Sequence, residues 1–178
     1  MNLIIKMSTF KASIEKLLKA NKAEEIDVLI LDDCENSNVA DIPETMISLK
    51  TISAVNCGLT SLANFPAFEN LTKLDLSDNK ITDGLENLKV LPNLKQLLLS
   101  GNKIKTVDQL SPLTNFQNLQ ALELLMCEIN NTDNYREDVF KMLPNLKFRN
   151  GEDQDGGRTE DVDENAKQPS LGLKRSSL

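Results

Sequence analysis

The chain has no histidine and no tryptophan, one tyrosine, and only 4% aromatic residues across its 178 positions. Without histidine, the Ser-His-Asp and Cys-His constellations of hydrolases are excluded, and so are most catalytic zinc sites. Bases are scarce too: 20 Lys and Arg stand against 27 Asp and Glu, a net charge of −7. DNA and anionic membranes demand clustered Lys and Arg, so direct DNA binding and membrane binding are not expected. No apolar run approaches the ~20 residues of a spanning helix, and Met1–Lys6 is too short to be the core of a signal segment. The expected setting is intracellular. Three cysteines, an odd number, do not form a disulfide framework, and a reducing compartment would keep them as thiols. Glycine-rich phosphate loops are missing as well, since Ser100-Gly101-Asn102-Lys103 lacks the spacing and the following Lys-Ser/Thr pair. No cofactor and no enzymatic activity are expected.

What the chain does have is leucine in a fixed pattern. Leu71-x-x-Leu74-x-Leu76-x-x-Asn79-x-Ile81 returns 23 positions later as Leu94-x-x-Leu97-x-Leu99-x-x-Asn102-x-Ile104, the period and signature of a leucine-rich repeat. The template extends upstream through Leu49-x-x-Ile52-x-Ala54-x-x-Cys57-x-Leu59 to a degenerate Ile26-x-x-Leu29-x-Leu31-x-x-Cys34, and downstream through Leu119-x-x-Leu122-x-Leu124-x-x-Cys127-x-Ile129. Repeats starting near 26, 49, 71, 94 and 119 predict an α/β solenoid, curved and right-handed, with a parallel sheet on its concave face. In each short strand alternate residues point opposite ways, so Leu74 and Leu76 enter the core while Lys73, Asp75 and Ser77 face out.

At the turn after each strand, the amides of Asn79 and Asn102 can satisfy backbone groups of adjacent turns. Cysteine is the accepted substitute there. Cys34, Cys57 and Cys127 all occupy that position, so they read as structural thiols, Cys34 stacked on Cys57, with no metal site. Both ends of the array need caps to cover exposed core faces. At the front, Ser8 can cap a helix over about 8–20 that places Phe10, Ile14, Leu17 and Leu18 on one face. At the back, Tyr135 to Leu146 reads as a helix carrying Val139, Phe140 and Leu143 inward and stopped by Pro144, within a cap over about 135–150. Residues 1–150 therefore form the repeat domain. From 151 to 178 the chain turns acidic and then weakly basic, with few apolar residues, and is expected to be disordered.

The outward positions present Asp32 and Asp33, Asn56, Asp75 and Asp78, Gln96 and Leu98, then Glu123. Through these acids runs an apolar strip of Val28, Ile30, Val55, Leu98, Leu125 and Met126. Exposed apolar residues beside acids suit a partner that is basic and partly apolar. The expected partner-binding set on the concave face is Asp32, Asp33, Asp75, Asp78, Leu98, Glu123, Leu125 and Met126.

Taken in order, Asn56-Cys57-Gly58-Leu59-Thr60-Ser61-Leu62-Ala63-Asn64, Leu74-Asp75-Leu76-Ser77-Asp78-Asn79, Leu99-Ser100-Gly101-Asn102-Lys103-Ile104-Lys105 and Tyr135-Arg136-Glu137-Asp138-Val139-Phe140-Lys141 closely resemble the acidic leucine-rich nuclear phosphoprotein 32 family. The resemblance covers roughly residues 10 to 150. It implies a nuclear, shuttling protein that binds core histones, restrains histone acetylation and, in some members, inhibits protein phosphatase 2A, a serine/threonine phosphatase. It also implies that Asp75, Asp78 and Glu123 carry over from the family's acidic surface. A structural adaptor of the spliceosomal A-prime type, or a leucine-rich regulator of protein phosphatase 1, shares a similar cap and stays open as an alternative. Two departures stand out. The family's long acidic tail is replaced by a short mixed one ending in Leu173-Lys174-Arg175-Ser176-Ser177-Leu178, and Arg149 stands where the family motif is apolar.

Overall fold

The computed structural model describes residues 9–35, 37–153, 155 and 157. Each repeat begins with a short strand: β1 (Val28–Ile30), β2 (Thr51–Ser53), β3 (Lys73–Asp75), β4 (Gln96–Leu98) and β5 (Ala121–Glu123), followed by β6 (Phe148–Arg149). They form one parallel sheet in chain order. The register keeps equal template positions side by side, so Leu29, Ile52, Leu74, Leu97 and Leu122 form a single inward row. None of these five is more than 1% exposed. Burial of each contributes roughly 1.5–3 kcal/mol, but only while the neighbouring repeat covers it.

Opposite the sheet the chain returns through 3-10 turns at Val39–Asp41, Leu85–Val90, Val107–Asn115 and Glu128–Asn131. The second repeat has no such turn. There the buried Leu62, Phe65 and Phe68 fill the back of the core instead. The longest of these turns opens on a capping box, in which Thr106 accepts from the Gln109 backbone and Gln109 reaches back to the Thr106 backbone.

Asparagine fastens neighbouring repeats as expected. Asn79 Oδ1 accepts from the backbone N–H groups of Cys57 (3.0 Å) and Leu59 (2.9 Å), while Nδ2 donates to the carbonyls of Ala54 (2.8 Å) and Leu76 (2.9 Å). Asn102 repeats the arrangement one turn on, accepting from Ile81 N–H and donating to the Leu76 and Leu99 carbonyls. Cys57 and Cys127 donate to the corresponding carbonyl of the preceding repeat, Leu31 at 3.1 Å and Leu99 at 3.3 Å. Cys34 Sγ lies 3.5 Å from Ser13 Oγ of the front cap, and all three cysteines are buried thiols. Burial pushes the Cys57 thiol from 9.0 up to about 11 and raises Cys127 in the same sense.

A second asparagine series lies outside the strand-and-turn template. Asn70, Asn93, Asn118 and Asn145 each precede the first leucine of a repeat. Each donates its amide back one turn, to the carbonyls of Ile47, Glu69, Pro92 and Gln117. The recurring Asn-Leu dipeptide was its signal. The same dipeptide at Asn145-Leu146 marks a sixth, partial repeat where the sequence suggested five repeats and a cap.

The caps hold with adjustments. Helix α1 (Phe10–Leu18) starts one residue later than expected, with Thr9 as its cap accepting from Ala12 N–H; Ser8 lies outside the described residues. Either hydroxyl can fill the role, which is why composition alone did not choose between them. Phe10 and Ile14 are buried, and Leu17 and Leu18 pack against the core at its edge. Helix α2 covers Tyr135–Met142 rather than continuing to Leu146, because the residue before Pro144 is driven from helical backbone and Leu143 adopts φ −119° and ψ 74°. Val139 and Leu143 are buried, while Phe140 is only partly so.

Arg149 takes the inward position of β6, paired with Leu122, and is only 7% exposed. Its guanidinium sits 4.5 Å above the centre of the Tyr135 ring, a cation–π contact that lets a charge occupy a leucine position. The Arg149 Nε and Tyr135 hydroxyl are both buried without hydrogen-bond partners. Burial raises the Tyr135 phenol above its usual range, and the Arg149 charge pulls the other way. Beyond β6 the chain does not leave the domain at once. Glu152 forms an antiparallel bridge with Arg149, and Arg136 donates to the Asp153 carbonyl at 2.6 Å. Thus 151–153, expected to open the disordered tail, are tied to α2. Residues 154, 156 and 158–178, the rest of that expected tail, lie outside the described residues.

Candidate functional site: the outward rows of the sheet

The parallel register sorts the outward residues into rows. One row runs Val28, Thr51, Lys73, Gln96, Ala121, Phe148, and the next runs Ile30, Ser53, Asp75, Leu98, Glu123. The strands themselves therefore present two acids, Asp75 and Glu123, with Leu98 between them. Adjacent strands are ~4.8 Å apart, so the two carboxylates belong to strands separated by roughly 10 Å. Asp32, Asp33 and Asp78 lie just past the strand ends, on the rim where each chain turns away.

That rim is still in register. The N–H groups of Asp33, Asn56, Asp78 and Gly101 donate to the carbonyls of Val55, Ser77, Ser100 and Leu125 on the following repeat. All four donors have positive φ: Asp33 58°, Asn56 55°, Asp78 56° and Gly101 69°. Asp, Asn and Gly are the residues that tolerate this backbone. The fifth repeat places Met126 there, also at φ 58°. A methionine in this conformation is strained, and its side chain is 89% exposed, so burial does not offset the strain.

Several acids also fasten the sheet. Asp32 Oδ1 accepts from Ser53 Oγ (2.6 Å) and Val55 N–H (3.0 Å), and Asp33 Oδ1 accepts from Asn56 Nδ2 (2.8 Å). Asp75 Oδ1 accepts from Ser77 N–H (3.0 Å), and Glu123 Oε1 accepts from Ser100 Oγ (3.0 Å). Every one of these contacts uses a single carboxylate oxygen as acceptor, a role an amide oxygen can fill. Sequence reasoning found the acids but not this second task. Lys73 is the one base on the two strand rows.

The apolar residues divide between the ends. Val28 (49% exposed) and Ile30 (67%) lie on β1, and Leu125 (46%) and Met126 (89%) follow β5. Leu98 and Val55 are half-buried between them. Of the expected set, Asp75, Asp78, Leu98, Glu123, Leu125 and Met126 lie on the third to fifth repeats, and Asp32 and Asp33 lie on the first, two strands from Asp75. Among the described residues, no group of three or more Cys, Asp or Glu side chains is arranged to hold a metal ion, and no helix is long and apolar enough to cross a membrane. An open parallel sheet with outward acids and exposed apolar residues provides side chains for contact.

This architecture is that of a leucine-rich-repeat protein, and the chain belongs to that family, whose model matches residues 12–167. Over 140 residues it is 44% identical to acidic leucine-rich nuclear phosphoprotein 32 family member A of Drosophila pseudoobscura pseudoobscura and, at the same identity, to that of Drosophila melanogaster. The match takes in 79% of this chain but 53% and 54% of those relatives, so the chain spans about half their length. The resemblance read from the repeat motifs therefore extends over those 140 aligned residues. Among solved structures, the Drosophila melanogaster SNF/U2A′ complex contains a similar chain, with TM-score 0.59 and 27% identity over 70% of this chain and 74% of that one. An internalin from Listeria monocytogenes shares the fold, with TM-score 0.50 and 19% identity over 78% of this chain and 54% of that one.

Proposed function

We propose that this chain is a nuclear, non-enzymatic scaffold that binds basic proteins, core histones first, through Asp75, Asp78 and Glu123 and the apolar residues beside them, and so regulates chromatin and histone acetylation. The carrying observation is the convergence of those three acids with Leu98, Leu125 and Met126 on neighbouring repeats of one outward face. Acids in a row raise the local concentration of a basic partner, and exposed apolar residues supply the contact that holds it. Similarity to relatives named nuclear phosphoproteins supports the compartment.

A pull-down of purified core histones at near-physiological salt tests this reading. Retention of histones is expected, and no retention would overturn it. A second reading, an adaptor of the spliceosomal A-prime type, is favoured by the likeness to a chain of the SNF/U2A′ complex. Inhibition of a serine/threonine phosphatase of the 2A type has the family resemblance as its support. Affinity purification from nuclear extract separates the three, since histones, a spliceosomal protein or a phosphatase catalytic subunit would dominate the eluate.

A further inference from the structure

Six sulfur-bearing side chains fall among the described residues, and five of them are sheltered. Cys34, Cys57, Cys127 and Met46 are buried, and Met142 packs against the core, partly buried. Burial also holds Cys57 and Cys127 as protonated thiols, each donating to a carbonyl, whereas the form that attacks an oxidant is the thiolate. Met126 is the exception, with 89% of its surface exposed. A thioether needs no deprotonation to react, so access to the sulfur decides its oxidation. Its place in the fold gives that exposure a consequence. The other members of its rim row are Asp33, Asn56, Asp78 and Gly101, all at positive φ, so Met126 is the one large apolar residue in the row. Beside it Leu125 is also exposed. A strained backbone that carries an apolar side chain without burying it points to contact outside the domain.

We propose that Met126 is a reversible oxidation site, at which a neutral peroxide converts the thioether to its sulfoxide and removes the apolar contact that the fifth repeat offers a basic, partly apolar partner. For its effect on binding this rests on the partner-binding reading of the face, while the oxidation itself rests on exposure alone.

The step balances with hydrogen peroxide as the oxidant. A sulfur lone pair attacks one peroxide oxygen, the O–O bond breaks, and proton transfer to the departing oxygen releases water. Sulfur gives up two electrons and the peroxide takes them. The product is polar and carries an oxygen that accepts hydrogen bonds. Residue 126 then resembles Asn56 and Asp78 of its own row rather than Leu125. Asp75, Asp78 and Glu123 make the face acidic, which disfavours anionic oxidants and leaves neutral peroxide as the class that reaches the sulfur. Because the Met126 side chain is almost wholly exposed, its oxidation leaves the core intact, unlike oxidation of the fully buried Met46.

The test treats the full 178-residue chain with millimolar hydrogen peroxide and follows each sulfur by peptide mass spectrometry. Two full-length variants run beside it: Met126→Leu, which keeps the apolar bulk without the sulfur, and Met126→Gln, a polar stand-in for the sulfoxide. Met126 should oxidise at least about tenfold faster than Met46 and Met142, with the three thiols still reduced and the thermal unfolding midpoint unchanged. Core-histone affinity should fall about fivefold, the effect of losing roughly one or two buried methylene groups. Met126→Gln should bind that weakly without peroxide, and Met126→Leu should keep its affinity with it. Methionine sulfoxide reductases A and B together, one for each epimer, should restore the wild type. Oxidation of Met126 no faster than that of Met46 would overturn the proposal. So would unchanged affinity after full conversion, or an equal loss in Met126→Leu, since another residue would then be responsible. Selective, reversible conversion with no histone binding to any form would sustain the oxidation site and reject the histone reading instead.

Discussion

The middle repeats and the outer ones solve the same packing problem with different residues. In the middle, Asn79 and Asn102 each bridge two turns through both donor and acceptor atoms, and the rim positions are Asp78 and Gly101, both at ease with positive φ. At the flanks Cys34, Cys57 and Cys127 replace asparagine, Arg149 replaces the inward leucine, and Met126 takes the positive-φ position. A thiol donates weakly and accepts weakly, so the flanking turns are less tightly fastened. These same flanks expose Val28, Ile30, Leu125 and Met126. Regularity is concentrated where the fold is held, and departures from the template gather where the surface has side chains to offer.

The difference predicts a graded set of outcomes. Asn79→Ala should have the largest effect, because it orphans the buried N–H groups of Cys57 and Leu59 together with the Ala54 carbonyl, while the Leu76 carbonyl keeps its bond from Asn102 Nδ2. At roughly 1–3 kcal/mol per buried unsatisfied group, a loss of at least about 3 kcal/mol is expected in urea unfolding. Cys57→Ala should cost less than half as much; equal losses would erase the distinction between middle and flank.

The next effect depends on pH. The Cys57 thiol, raised to about 11 by burial, keeps its proton in the folded chain where an unfolded thiol near 9.0 has lost it. Its contribution is therefore complete below pH ~9 and disappears as pH rises to about 11. Unfolding midpoints measured across that window should fall more steeply for the wild type than for Cys57→Ala, and parallel slopes would contradict the assignment.

Gly101→Ala should then cost about 1–2 kcal/mol. Its φ is 69°, and an added Cβ would run into the Asp78 side chain. Smallest, and opposite in sign, is Met126→Gly, which relieves a strained backbone at the expense of an exposed side chain. Thermal unfolding should show a gain of a few tenths to about 1 kcal/mol, accompanied by weaker partner binding. A loss of stability would mean that Met126 packs in a way its exposure does not suggest.

Much of the fold was legible because a 23-residue leucine period leaves little freedom in how the strands stack. The asparagine position was equally plain, and it placed all three cysteines. The sixth strand was harder to see. It starts 27 residues after the start of the fifth strand, has only two residues, and puts Arg149 where pattern matching expects leucine; the ring of Tyr135 beneath it helps to make the position tolerable. The second asparagine series was present in the sequence as Asn-Leu pairs, but its purpose depends on a carbonyl 23 to 28 residues earlier that only the stacked turns bring near. For the site, residue types gave the acids and the apolar strip. Their order across the sheet follows from the register, and the role of Asp32, Asp33, Asp75 and Glu123 as acceptors depends on neighbours that only the stacked turns bring near.

That acceptor role makes a clean test of the functional account possible. In Asp75→Asn/Asp78→Asn/Glu123→Gln the amide oxygens can still accept from Ser77 N–H and Ser100 Oγ, and asparagine tolerates the positive φ of residue 78. The variant thus loses three charges and keeps its fastenings. Titration calorimetry with core histones over a range of salt concentrations is the direct measurement. The account predicts unchanged thermal stability, affinity lower by about tenfold or more, and a shallower salt dependence. Unchanged affinity with an unchanged salt slope would contradict it.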